Sequence, residues 1–273
     1  MFLKIIAPVK QVPESGNVKI NPETGTIIRA GVESVVNPLD LYALEAALLL
    51  RERYGAEITA LSMGPPQAMR ALREAAAMGC DRATLVSDRL FSGSDTLATS
   101  CTLARAVRKL GPFDLIVTGE RATDGDTAQV GPGIAAWLDI PVLTYVSKIT
   151  EISGIPGGTG MSIRAERLSG EGYEMVCAEL PCLITVVKEI GPPRLPTLKG
   201  KIRSMEMDIP VLNAESLELD RELLGLNGSP TRVVKIDTPR ITRGGKLLRV
   251  RDNESLDAVL DELIAFLGSK GIL

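Results

Sequence analysis

An open, mostly parallel α/β sheet with added antiparallel strands is the fold class that this sequence predicts, on three observations. Short runs of aliphatic and β-branched residues alternate with longer segments of helical period from Leu3 to Val146, the pattern of strand–helix–strand crossovers. Beyond Lys148 the pattern turns to short alternating runs separated by glycine-rich turns, which predicts antiparallel strands. A stretch of small and polar residues, GERATDGDTAQVGPGI over residues 119–134, joins an apolar strand to a helix, as ligand-facing loops do at a sheet's edge. The patterning divides the chain into an α/β domain over residues 1–190 and a loop with a C-terminal arm over 191–273.

Leu3, Ile5, Ile6 and Val9 form the opening strand, which ends at Pro8 and Lys10 because proline cannot donate to a central ladder. Residues 18–28, VKINPETGTII, read as a hairpin punctuated by Asn21, Pro22 and Gly25. In VVNPLDLYALEAALLLRERYG, Asn37 is the expected N-cap, Pro38 the first helical residue, Asp40 the charge at the positive end and Gly55 the stop. Leu41, Leu44, Leu48 and Arg51 share a face whose apolar members pack on the sheet.

A strand over 58–63, a turn at Gly64 and Pro65 and a helix over 67–78 follow. The alternation continues with a strand over 83–86, a helix over 96–110 capped by Ser94, and a strand over 115–117. A helix over 127–138, capped by Asp126 or Thr127, and a strand over 142–146 complete it. Runs at 161–167, 173–178 and 182–187 are expected as antiparallel additions. The stretch EIGPPRLPTLKGKIRSM, rich in proline, glycine and basic residues, reads as an extended connector with few internal contacts. Last come the loop TPRITRGGK and an amphipathic helix over 255–268, whose stripe of Leu256, Val259, Leu260, Leu263 and Phe266 needs a partner in its own domain or in another subunit.

Composition excludes several classes of function. A formal charge of −3 over 273 residues, with no basic run interleaved with aromatics, argues against nucleic acid as a partner. The absence of histidine rules out histidine-based triads and removes the commonest zinc ligand. Cys80, Cys101, Cys177 and Cys182 form no C-x-x-C pair, so reduced and mostly buried thiols are expected. Met1 runs directly into a core-type strand without the order of a secretory signal, and no apolar segment reaches about 18 residues. A cytoplasmic protein with no membrane span is the expectation.

Within residues 119–134, Gly119, Gly125 and Gly131 permit close backbone approach, while Thr123, Asp126, Thr127 and Gln129 supply donors and acceptors beside a helix N-terminus. Free amides and the helix dipole there favour phosphate. Glu120, Asp124 and Asp126 would repel phosphate unless they point at hydroxyls or cap backbone donors, so no metal set and no acid/base pair is expected among them.

AERLSGEGYEMVCAELPCLIT, with Ala165, Arg167, Glu171, Gly172, Glu174, Val176, Pro181, Leu183, Ile184 and Thr185 in place, resembles the signature of the electron-transfer flavoprotein β subunit. Gly170 departs from it where an acid is usual. APVKQVP (7–13), VNPLD (36–40) and SMGPP (62–66) resemble the same family, and the likeness spans nearly the whole chain.

The resemblance implies a Rossmann-like sheet of the adenine-nucleotide α-hydrolase type. It implies an adenine nucleotide surrounded by Ala7, Pro8, Asn37, Asp40, Met63, Gly64, Thr123, Asp124, Gly125, Asp126, Thr127, Ala128, Gln129 and Val130. It implies no catalytic residue and no metal, because the cofactor carries the redox chemistry. TDGDTAQVGP resembles the electron-bifurcating group more closely than the ordinary one, which implies FAD in this pocket. Joined to an α subunit as a heterodimer, such a chain would take electrons from NADH. It would split them between ferredoxin or flavodoxin and, through the α-subunit FAD, an acyl-CoA dehydrogenase, with Leu198 as the docking anchor for the dehydrogenase. The alternatives are a non-bifurcating β subunit holding structural AMP and a stand-alone adenine-nucleotide-binding regulator of the universal-stress type.

Overall fold

A computed structural model describes residues 2–14, 19–20, 27–28, 34–154, 158, 160–234, 245–250 and 252–273. The chain forms two compact units, Met1–Ile236 and Asp237–Leu273. In the first unit, strand β1 (Leu3–Pro8) is followed by the short strands β2 (Gln11–Pro13), β3 (Lys19–Ile20), β4 (Ile27–Ile28) and β5 (Ser34–Val36). Helix α1 (Pro38–Tyr54), β6 (Ala56–Met63), α2 (Met69–Met78), β7 (Arg82–Val86), α3 (Thr96–Leu110), β8 (Leu115–Gly119) and α4 (Val130–Leu138) come next. Then follow β9 (Val142–Ser153), β10 (Ser162–Ser169), β11 (Gly172–Glu179), β12 (Cys182–Val186), α5 (Leu198–Glu206) and β13 (Val211–Leu212). Helix α6 (Asn253–Ser269) belongs to the second unit, where Asp252 and Ser255 form a capping box at its start and Lys246 pairs with Glu262.

Nine strands form one sheet in the order β11-β10-β9-β12-β8-β1-β6-β7-β13. β1, β6, β7, β8, β9, β12 and β13 pair in parallel, and β10 and β11 are added antiparallel beside β9. This is the predicted α/β class. Parallel strands need helices on both faces, and the central ones are accordingly apolar on both sides. Ile5, Ile58, Leu115 and Val117 pack with Leu44, Leu48 and Leu72 of α1 and α2. Ile6, Leu61, Ile116 and Leu183 pack in a second cluster with Val107 of α3 and Ile134 of α4. Among the described residues no helix is long and apolar enough to cross a membrane.

Several expectations are corrected. The 182–187 run is not an antiparallel addition: β12 lies between β8 and β9, parallel to both, with every residue buried. The strand expected over 142–146, β9, runs on to Ser153 because its second half pairs with β10. The helix expected over 67–78 begins as a single 3-10 turn, Pro66–Ala68, before α2. The hairpin read at 18–28 pairs Lys19 with Ile28 and Ile20 with Ile27, while its turn lies outside the described residues, as does most of TPRITRGGK.

The connector is corrected as well, because its second half is helix α5, packed on α2. Arg203 donates from Nη2 to the Ala76 and Cys80 carbonyls at the end of α2 (2.8 and 3.0 Å), and Arg73 of α2 donates to the Ser204 carbonyl near the end of α5. Each helix thus has carbonyls near its C-terminal end held by an arginine of the other. A Cβ at Gly200 would stand 2.1 Å from the Ala77 oxygen, so glycine alone permits this approach. Upstream, Arg194 grips buried Glu45 of α1 through Nε (2.9 Å), Nη2 (2.8 Å) and its backbone N–H (3.0 Å), and also pairs with Glu52. One face of α5 stays open: Leu198, Ile202 and Met205 are exposed.

Candidate functional site

The chain runs from β1 to β6 and β7 on one side, then crosses back to place β8 on the other side of β1. Such a reversal opens a crevice beyond the carboxyl ends of the two strands that flank it, here β1 and β8. The loop after β1 and the loop after β8 meet there, with the start of α1 between them.

Asn37 joins the three. Its backbone N–H donates to the Lys10 carbonyl (2.8 Å), its Nδ2 to the Arg121 carbonyl (2.9 Å), and its Oδ1 accepts from Thr123 N–H (3.2 Å). The side chain therefore does not cap α1, as the sequence predicts, although the Asn37 carbonyl does accept from Asp40 N–H. Fully buried, it ties residues 121–123 to the helix.

Asp40, also buried, accepts from Lys10 N–H through Oδ2 (2.7 Å). A Cβ at Gly119 would lie 2.7 Å from Asp40 Oδ1 and 2.8 Å from the Leu39 carbonyl oxygen, so only glycine lets β8 end against α1. Burial pushes the Asp40 carboxyl up to about 7, against the opposing pull of Lys10, Asn37 and Gly119.

The Lys10 ammonium turns the other way and pairs with Asp124 at 2.7 Å. Arg121 pairs with Asp126 (2.9 Å) and more loosely with Glu120 (3.6 Å). Asp126 and Ala128 take left-handed backbone angles, φ 54° and 55°, which a helix cannot include. That corrects the expected helix start: α4 begins at Val130, neither Asp126 nor Thr127 caps it, and Gln129 stands before it with no side-chain cap bond. Thr96 donates to Gln129 Oε1 (2.9 Å). Ser94 likewise is not the cap of α3; Asp95 is, through Oδ1 to Leu97 and Ala98 N–H.

The structure thus brings Asn37, Asp40, Thr123 and Asp124 into one bonded group, with Pro8 at the end of β1. Gly125, Asp126, Thr127, Ala128, Gln129 and Val130 continue the same loop into α4. Ala7 is a core residue of β1 with no exposed surface. Met63 ends β6 and Gly64 follows it, its N–H reaching the Val86 carbonyl at the end of β7 at 3.0 Å. Leu198 is elsewhere, exposed on the first turn of α5. Sequence reasoning missed Lys10 and Arg121 as the cations of the site; a lysine two residues past a strand-ending proline was the available signal for the first.

The carboxyl ends of the strands flanking β1 carry polar groups that the fold leaves unpaired. Among the described residues two buried side-chain polar atoms lack any partner, Ser62 Oγ and Thr118 Oγ1, and both lie one residue before the carboxyl ends of the strands flanking β1, β6 and β8. Buried polar groups are normally satisfied, so this edge has unused hydrogen-bonding capacity. A Cβ at Gly125 would meet no atom, which leaves the loop backbone open to approach. No cluster of three or more acidic or cysteine side chains among the described residues is placed to hold a metal ion.

A family model described as the electron transfer flavoprotein domain matches residues 24–216. The "Electron transfer flavoprotein subunit beta" of Thermoanaerobacterium thermosaccharolyticum is 44% identical over 96% of this chain and 98% of its own length. The chain belongs to the electron-transfer flavoprotein β-subunit family. Two further relatives of this family carry other names. The "Caffeyl-CoA reductase-Etf complex subunit CarD" of Acetobacterium woodii is 43% identical over 99% of this chain and 100% of its own length. "Protein FixA" of Azorhizobium caulinodans is 43% identical over 96% of this chain and 93% of its own length. The family signature read at residues 165–185 covers much of β10, β11 and β12, the segment that inserts the last central strand beside β8.

Proposed function

We propose that this electron-transfer flavoprotein β subunit holds FAD in the crevice between β1 and β8. Joined to an α subunit in the cytoplasm, it divides electrons from NADH between ferredoxin or flavodoxin and an acyl-CoA dehydrogenase. The observation that carries the reading is the form of residues 121–129. Asn37 fastens one end of that loop, left-handed residues turn the other, and α4 begins late with its first amides uncapped. Such amides and the dipole behind them attract phosphate. The amides of Gly125, Thr127, Ala128 and Gln129, with Val130 close behind, would meet the pyrophosphate, and Asp124 and Thr123 the ribose side, while buried Asn37 holds the loop from beneath. The run TDGDTAQVGP and the likeness to a subunit of a caffeyl-CoA reductase complex favour the two-FAD type.

Held by these residues, FAD would supply the hydride-accepting and one-electron chemistry. This chain's residues bind, orient and insulate. The apolar core behind β1 and β8 excludes water from one side of the crevice, and the ion pairs of Lys10 and Arg121 hold its loop. Exposed Leu198, with Ile202 and Met205 on the same helix, supplies the apolar contact for the dehydrogenase.

Nucleotide content tests the reading. The chain is co-expressed with its α subunit, the purified heterodimer is denatured, and released FAD and AMP are counted by chromatography. Two FAD per heterodimer are expected. One FAD with one AMP would overturn the two-flavin reading and leave a β subunit for simple electron transfer.

A further inference from the structure

Among the described residues, Asp40 is a buried acid without a cation of its own. The charged groups on the elements around it are few. Lys10 comes from the β1 loop; Glu120 and Arg121 follow β8; Glu45 lies further along α1; Lys188 and Glu189 form the turn after β12. Glu45 is taken by Arg194, and Arg121 by Asp126 and Glu120. Among the described residues Lys10 is the one whose charge acts on Asp40, yet its ammonium is committed to Asp124, while only its backbone N–H serves Asp40. Asp40 and Asp124 therefore stand on either side of one lysine, and Asp124 belongs to the loop that closes the crevice.

We propose that Asp40 is a proton-linked positioning residue: neutral, it leaves Lys10 to latch the 121–129 loop through Asp124, and ionised, it draws Lys10 inward and releases that loop. The group acts through Lys10 and need not touch the nucleotide. The carboxyl titrates near neutral pH, because burial opposes its charge. Below that point the Lys10–Asp124 pair stays closed. Above it, a buried carboxylate beside Lys10 competes for the ammonium, and an inward pair has the advantage of lower dielectric. The latch is exposed enough that breaking it shifts loop opening by up to about fivefold. This rests on the reading of the crevice as a nucleotide site only where nucleotide release is concerned; the movement itself belongs to the protein.

The test therefore has two arms on the full chain purified with its α subunit. In the first, hydrogen exchange of peptides covering residues 120–128 is measured from pH 5.5 to 8.5, corrected for intrinsic exchange, in the wild type, Asp40→Asn and Asp124→Asn. The wild type should lose protection, up to about fivefold, as pH rises through 7. Asp40→Asn should stay protected throughout, and Asp124→Asn should be equally open at every pH. Wild-type pH dependence surviving in Asp40→Asn overturns the proposal, as does a wild type with no dependence. In the second arm, displacement of bound nucleotide by added FAD is followed over the same range. Release that accelerates with pH in the wild type but not in Asp40→Asn supports the coupling to the crevice. If the exchange arm holds while release is the same in the wild type and both variants at every pH, the latch stands and the nucleotide reading of the crevice falls.

Discussion

Replacing Asn37 with alanine should free the loop after β8 while leaving the sheet intact. The side chain makes two hydrogen bonds to that loop, at 2.9 and 3.2 Å, and is itself fully buried. A hydrogen bond contributes about 1 kcal/mol net, so their loss weakens loop attachment by about 2 kcal/mol. The penalty for orphaned buried groups is not added, because Arg121 and Thr123 are exposed residues whose backbone can rehydrate. About 2 kcal/mol corresponds to roughly thirtyfold in the opening equilibrium. Hydrogen exchange resolved at the Thr123 amide reads this directly, since that N–H is the donor to Asn37. Protection should fall roughly thirtyfold at Thr123 and stay unchanged in β1 and β6. Nucleotide should wash out on gel filtration by the same loosening. A Thr123 amide exchanging at the wild-type rate would refute the claim that Asn37, rather than the ion pairs of Lys10 and Arg121, fastens the loop. Loss of protection throughout the sheet would refute the claim that the effect is local.

Arg194→Ala strands buried Glu45 without its guanidinium and should cost about 3 kcal/mol, at the low end for a broken buried pair because the arginine is partly open to water; denaturant midpoints at constant slope check it. Cys80 and Cys182, whose thiols burial pushes up to about 12, should resist a thiol reagent in the native protein, while exposed Cys177 reacts at once; labelling followed by peptide mapping decides. Leu198→Ala should slow reduction of an acyl-CoA dehydrogenase by severalfold without changing NADH oxidation by an artificial dye, and equal rates with both acceptors would remove Leu198 from the docking surface.

The α/β class and the element order were legible because they rest on local pattern. The paired apolar faces of Ile5 and Ile6, or Leu115 and Ile116, mark strands buried on both sides wherever they occur. Asn37 shows where local reasoning stops. Its position before Pro38 has every mark of a cap, yet its partners come from Arg121 and Thr123, and nothing in VNPLD announces them. The late start of α4 was hidden likewise, since DGDT reads as a capping sequence until Arg121 takes Asp126 and the backbone turns left-handed. Composition also misled at the arm. Proline, glycine and basic residues suggested a solvated connector, whereas Arg194, Arg203 and Gly200 are there because they meet Glu45, the carbonyls of α2 and the Ala77 backbone. Lys10 was passed over because a lysine near a strand end is ordinary until its neighbour in space is known.

The position of β12 governs the order in which the protein can be assembled during synthesis. β8 ends at Gly119, but the strand that covers its open edge arrives only with residues 182–186. At translation rates of about 5–20 residues per second, the β8 edge waits for several seconds, and its ladder groups stay unpaired meanwhile. An uncovered edge of that kind invites pairing with another chain. Ribosome-bound chains stopped before residue 180 should therefore be protease-sensitive and prone to associate, while chains with residues 182–186 free of the exit tunnel should resist cleavage across β1, β6 and β8. Early resistance in the shorter chains would mean that the first half folds alone. The strand that closes the sheet between β8 and β9 is thus the last central piece that the growing chain receives.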